Sequence, residues 1–276
     1  MDTLPTEWGA LIGLVFALGL RHGIDADHVA TIDALTRLAE RQRSRWCGLL
    51  FAAGHGSAVM LLVLAVAGGS QGWKPPEWLA PLGAWVSITL LALLGAANLR
   101  AAWRAAPGEV VALGGLRGRW VGRLVGSGHP AAAAGVGVLF ALSFDTVSLA
   151  VMFALAGLAA GGVVHAAVLG GMFAFGMALT DGANGLWLAH LLQKTGSAAA
   201  RASRVTAVIV GGASLGVALL GALRLVSPAT DAWADEAGLW LGAGLLTLLL
   251  GACAAVLWRR GPAPMRLSAS NGASAS

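Results

Sequence analysis

Eight residues, Arg21 to His28 (RHGIDADH), place two histidines, two aspartates and an arginine in the middle of apolar sequence. The apolar run before them, Trp8 to Leu20, has only 13 residues, whereas crossing about 30 Å of hydrocarbon at about 1.5 Å per residue takes roughly 20. A membrane-crossing helix that starts at Trp8 therefore continues through the cluster. The helix-compatible VATIDALTRLAE behind it leads to Arg37, Glu40, Arg41, Arg43 and Arg45, a natural exit. His22, Asp25 and His28 then lie below the membrane surface, where polar residues are expensive and packing alone does not retain five ionisable groups.

The rest of the chain agrees that this is a membrane protein. It is 57% hydrophobic and 11% charged with mean hydropathy +0.76, against about 45–50% apolar and about 25% charged in soluble domains. The net charge of +5 sits in short clusters between apolar segments, the pattern that encodes topology rather than nucleic-acid binding. Cys47 and Cys253 form no disulfide or thiolate-ligand pattern and read as packing residues. The acidic start MDTLPTEW is not that of a cleavable signal peptide.

Apolar length and flanking charge give an all-α, polytopic integral membrane protein with seven candidate spans, near 8–35, 46–69, 78–103, 131–158, 163–192, 203–226 and 237–258. Arginines fill alternate loops: Arg37 to Arg45, Arg104 to Arg123, Arg201 and Arg204, then Arg259 onward. The positive-inside rule places the N-terminus outside and the C-terminus in the cytoplasm, in a cytoplasmic (inner) membrane. Residues 1–260 read as one transmembrane domain with a cytoplasmic loop near 104–130, and 261–276 as a disordered tail. Trp8, Trp46, Trp78, Trp103 and Trp233 fall at predicted ends, as interfacial anchors do. The pairs Gly9/Gly13, Gly212/Gly216 and Gly238/Gly242 are expected to let helices approach. No internal repeat survives counting.

Counted inward from the cytoplasmic ends, His28, Asp25, His22, His55, Asp181 and Asp145 lie between about 10 and about 21 Å deep, in one slab across four helices. A shared site is the simplest account. Imidazoles with carboxylates and no thiolate suit a borderline divalent transition metal. At about 100° per residue His22, Asp25 and His28 share one face and Asp27 points away. Asp27 then orients a histidine or pairs with Arg21, unless the helix is locally unwound. His129, His165 and His190 sit near loops or helix ends and are not counted in the site.

RHGIDADHVATID, with Thr36 and Arg37 following, resembles the signature of the NiCoT nickel/cobalt transporters. AGHGSAV around His55, LSFDTVSLA around Asp145 and GMALTDGANG around Asp181 are similar to further motifs of that family, in the same order. The resemblance implies a secondary importer of Ni²⁺ or Co²⁺, the metal being substrate rather than cofactor, with no enzymatic activity. Its metal ligands would come from His22, Asp25, Asp27, His28, His55, Asp145 and Asp181, with Arg21, Thr146, Ser57 and Asn184 supporting. It also implies a link to urease or hydrogenase metal supply, and it leaves room for a homo-oligomer. Gly23 replaces the usual alanine, Leu149 an acidic residue, Gly182 a threonine and Asn184 an aspartate, and losing two carboxylates should weaken or retune the site. Two other readings stay open from residues alone: efflux of the same metals, and an intramembrane metal-dependent hydrolase. Against the second, no H-E-x-x-H pattern occurs, and no nucleotide-binding P-loop suggests an ATP-driven pump.

Overall fold

The first apolar stretch does not run as one helix. In the computed structural model, which describes residues 4–39, 42–69, 78–111, 131–193 and 197–227 with position 76 and isolated positions from 229 to 252, α1 (Leu4–His22) and α2 (Ala26–Leu38) meet at a bend of 54°. Gly23 sits at the break because a Cβ there would collide with Thr180 Oγ1 and press on the Met177 carbonyl. Asp25 caps α2 in an extended conformation (φ −58°, ψ 145°), and Asp27 lies in its first turn, where a carboxylate suits the positive end of the helix dipole. The expected continuous helix is thus two half-helices, and the phase relation it imposed on His22, Asp25, Asp27 and His28 does not hold.

A single 3₁₀ turn, Ser44–Trp46, leads into α3 (Cys47–Gly68), followed by α4 (Leu79–Arg104). Then come α5 (Ala131–Phe140), α6 (Phe144–Ala160), α7 (Val163–Gln193) and α8 (Ser197–Arg224), with no strand among the described residues. α3, α4, α7 and α8 are each long and apolar enough to cross a membrane, and the bent pair α1/α2 is long and apolar enough to do so if taken as one span. The predicted fourth span is broken too, at 141–143. Most of the predicted seventh span lies outside the described residues, as do 112–130 of the expected loop and the whole expected tail. Exposed apolar side chains such as Leu61, Val164 and Leu219 give these helices the outer surface of lipid-facing spans.

The two breaks are built alike. Around the first, the N–H groups of Gly23, Ile24, Asp25 and Val29 donate to the carbonyls of Gly19, Arg21, His22 and Asp25. Around the second, Ala141, Leu142, Ser143 and Val147 donate to Gly137, Leu139, Phe140 and Ser143, the same pattern 118 positions on. Ser143 (φ −62°, ψ 153°) takes the place of Asp25 as cap. Packing repeats as well: Gly19 of α1 lies flat against the Phe173 carbonyl of α7, and its counterpart Gly137 of α5 against the Phe51 carbonyl of α3. Gly176 meets the Phe16 carbonyl as Gly54 meets that of Ala134. Gly95 of α4 and Gly211 of α8 face each other, Gly95 beside Leu215 and Gly211 beside Leu99, as in a contact with two-fold symmetry.

α3 and α7 run antiparallel, since Gly48 packs on Asp181 while Gly170 packs on Met60 and Val63. The halves 4–104 and 131–224 are therefore inverted copies of a broken span followed by two whole ones, an arrangement known for membrane transporters. Sequence counting missed it because the likeness lies in backbone pattern and small-residue spacing rather than in side-chain chemistry. The glycine pairs expected to pack are not the ones used. A Cβ at Gly9, Gly13, Gly212 or Gly216 would meet nothing within 4 Å, and Gly238/Gly242 lie outside the described residues.

Candidate metal site

The break in the first span turns His28 back toward His22. Their ring centroids are 4.6 Å apart, and His55 from α3 closes the group at 5.3 Å from His22 and 4.9 Å from His28. One donor atom from each of the three lies within 4.8 Å of the others. His28 and His55 are 1% exposed and His22 9%, and Phe51 and Phe173 wall the cluster with ring contacts of 5.0 Å to His28 and 5.2 Å to His22. Nitrogens bound to one first-row ion at about 2.1 Å stand at most about 4.2 Å apart. Three nitrogens around one ion in tetrahedral or octahedral geometry stand about 3.0–3.4 Å apart, so the rings have to close by up to about 1–2 Å to hold it.

Two of the histidines are backed by carboxylates, the arrangement that fixes a ligand's tautomer and raises its basicity. Asp25 Oδ2 lies 3.2 Å from His22 Nδ1. Asp181, fully buried on α7, lies 3.2 Å from His28 Nδ1 through Oδ2. With Nδ1–H donated to each carboxylate, both rings turn Nε2 outward as the free lone pair, and His22 Nε2 is buried with no hydrogen-bond partner. His55 is the other way round. Its Nε2 lies 3.5 Å from Thr146 Oγ1, which accepts from Ser143 Oγ, and its buried Nδ1 has no partner.

The other expected site residues take different places. Asp27 Oδ1 accepts the backbone N–H of His28 at 2.9 Å, holding the first turn of α2. Asp145 occupies the equivalent first-turn position of α6, and its side chain lies outside the described residues. Arg21 is exposed and makes no ion pair among the described residues, with Asp27 or any other carboxylate. Ser57 is exposed and donates to the Ala53 carbonyl. Asn184 lies one helical turn from Asp181 and keeps a buried Nδ2 without a partner. His165 stacks edge-on against Trp8, and His190 is exposed; both are remote from the cluster along α7.

One polar cluster escaped the sequence reading. Arg37, expected at a membrane exit, is buried with Asp33 as a bidentate pair, Nε to Oδ2 at 2.8 Å and Nη2 to Oδ1 at 3.0 Å. The guanidinium also donates to Ser203 Oγ, Thr206 Oγ1 and the Val111 carbonyl, while Asn98 Nδ2 donates to Asp33 Oδ2. The signal was present as an i, i+4 Asp/Arg spacing on a helix. What sequence could not supply was the burial of α2 on every side from His28 to Leu38.

The family model for high-affinity nickel-transport proteins, NicO, matches residues 8–258. A high-affinity nickel transport protein of Cryptococcus neoformans is 30% identical over 203 residues, 61% of this chain and 41% of that protein. The cobalt transport protein NhlF of Rhodococcus rhodochrous is 41% identical over 78 residues, 26% of this chain and 22% of its own. The hydrogenase nickel incorporation protein HupN of Bradyrhizobium diazoefficiens is 35% identical over 203 residues, 63% of this chain and 52% of that one. The chain thus spans about half or less of the length of these relatives. No solved structure matches it.

Proposed function

The chain belongs to the NicO family of high-affinity nickel-transport proteins, and from that premise we propose that it imports Ni²⁺ or Co²⁺ across the cytoplasmic membrane through His22, His28 and His55. The observation that carries the reading is the buried triad of imidazoles at a helix break, with donor atoms within 4.8 Å of one another and two rings backed by carboxylates. Imidazole nitrogen suits Ni²⁺ and Co²⁺, and a site of three neutral donors with carboxylates in support binds a dication without holding it irreversibly. Asp25, Asp27 and Asp181 offset the ion's charge and the positive end of α2.

An inward-negative potential drives the ion in, at about 2.3 kcal/mol per charge per 100 mV and about twice that for a dication, so no ATPase module is needed. The family is one of transporters rather than enzymes, which leaves the hydrolase reading without support. HupN's name speaks of hydrogenase, and delivery of metal to such an enzyme is the natural fate of an imported nickel ion. The test is accumulation of radiolabelled nickel and cobalt by cells expressing the chain. His28→Ala and His55→Ala should abolish it with the protein still in the membrane, and unchanged accumulation would refute the site. Direction is read from toxicity: an importer sensitises cells to nickel, and an exporter protects them.

A further inference from the structure

We propose that the buried Asp33–Arg37 knot is the inner gate of the transport path, a latch that closes the arginine-rich side of the molecule and must open before an ion at the histidines is released there. The inference rests on the transporter reading given above. Its first support is position. α2 carries His28 in its first turn and Asp33 and Arg37 toward its end, and every residue from His28 to Leu38 is buried. A displacement of this helix that frees His28 from its partners therefore pulls on the knot.

The second support is what the knot joins. Arg37 Nη1 donates to Ser203 Oγ at 2.9 Å and to the Val111 carbonyl at 3.2 Å, and Nη2 donates to Thr206 Oγ1 at 2.6 Å. Asn98 Nδ2 reaches Asp33 Oδ2 at 3.3 Å. One guanidinium thus fastens α2 to α8 and to the segment that follows α4, while its carboxylate partner is held from α4. Arg204 Nη2 adds a second tie from α8 to that segment, at the Ala105 and Ala106 carbonyls. Apolar contact alone would let these elements slide; directional bonds to a buried charge give them one closed arrangement. The network also has unused capacity, since Asn98 Oδ1 and Thr36 Oγ1 are buried with no hydrogen-bond partner. They offer the polar groups of the knot somewhere to go when the latch opens.

The third support comes from the inverted repeat. The positions matching Asp33 and Arg37 in the second half, 118 further on, are Val151 and Leu155, and Leu155 is 58% exposed. Among the described residues, the second half thus has no copy of the Asp33–Arg37 pair at the matching positions. In a molecule whose halves exchange conformations, this makes the two closed states unequal and favours the one shut toward Arg43, Arg45 and Arg104. The positive-inside rule makes that side cytoplasmic.

Cys47 supplies a reporter. It is 1% exposed, its thiol donates to the Leu35 carbonyl, and it lies behind the last turns of α2. In the full-length chain with Cys253→Ala, a membrane-impermeant methanethiosulfonate reagent is applied to inside-out vesicles. We expect slow modification of Cys47 in the parent. Arg37→Ala and Asp33→Asn should accelerate it about tenfold or more, the population shift expected from losing one charge-assisted hydrogen bond. Thr206→Val and Ser203→Ala should accelerate it by less, Arg37→Lys should partly restore protection, and nickel binding by the purified Arg37→Ala protein should stay near that of the parent. Labelling and uptake of Arg37→Ala that match the parent would overturn the proposal. So would acceleration seen only in right-side-out vesicles, or Arg37→Ala losing nickel binding and thermal stability together while the Ser203 and Thr206 variants label like the parent. Labelling needs no ion flux, so it still reads the latch if the histidine variants show that the transport reading is wrong.

Discussion

At the scale of single residues, the proposed site divides between groups that would face the ion and groups that would hold them. Asp181 belongs to the second kind. Asp181→Asn keeps the shape but removes the charge that fixes the His28 tautomer, and a loss of about 10- to 100-fold in nickel affinity is expected, as for other carboxylate partners of ligating histidines. Titration calorimetry on purified protein measures it, and an unchanged affinity would show that His28 needs no such partner. Gly23 makes a sharper case. An alanine there runs into Thr180 Oγ1 and comes within 3.1 Å of Asp181 Oδ1, so Gly23→Ala should disturb the Asp181–His28 pair and lower affinity. Thr180→Ala should restore much of it, and a double-mutant cycle with additive effects would contradict this account. The three histidines that the structure brings together were singled out in RHGIDADH and at His55, because ionisable groups at such depth need a purpose. Their roles were not, because helical phase assigns faces only while the helix is continuous.

The element scale explains that failure. A length count requires only that the chain cross the bilayer, and a broken span satisfies it as well as a straight one. The cause of the break lies across the interface, in Thr180 and Met177 against Gly23, and no reading of α1 alone reveals it. The same holds for the close-packed glycines. Gly19 and Gly137 each press on a carbonyl of the neighbouring half, so Gly19→Ala and Gly137→Ala should destabilise by similar amounts, about 1–3 kcal/mol by the usual cost of overpacking. Gly9→Ala and Gly212→Ala, with open space around them, should be neutral or gain up to about 1 kcal/mol of helix propensity. Thermal unfolding in detergent separates the two pairs; equal behaviour of all four would disprove the packing argument.

At the scale of the whole molecule, class and crossing segments were readable from hydropathy and charge, and the helices from Leu4 to Arg224 overlap the first six predicted stretches, with ends that differ by up to six residues. The inverted architecture was not, since its halves share a backbone pattern and few side chains. Orientation remains an expectation with a direct check: a reporter active only outside the cytoplasm should be active when fused to the N-terminus and silent at the C-terminus. The match between the two breaks carries a last consequence. His22 and His28 correspond to Phe140 and Thr146, and all three imidazoles come from the half before residue 104. The half before residue 104 supplies the imidazoles, and the other half meets them through Asp181 on His28, Phe173 against His22 and Thr146 beside His55. Phe140→His with Thr146→His would give the second half imidazoles of its own. Such a transporter should seize nickel more firmly and deliver it more slowly, because an ion held equally from both sides has no reason to leave by either.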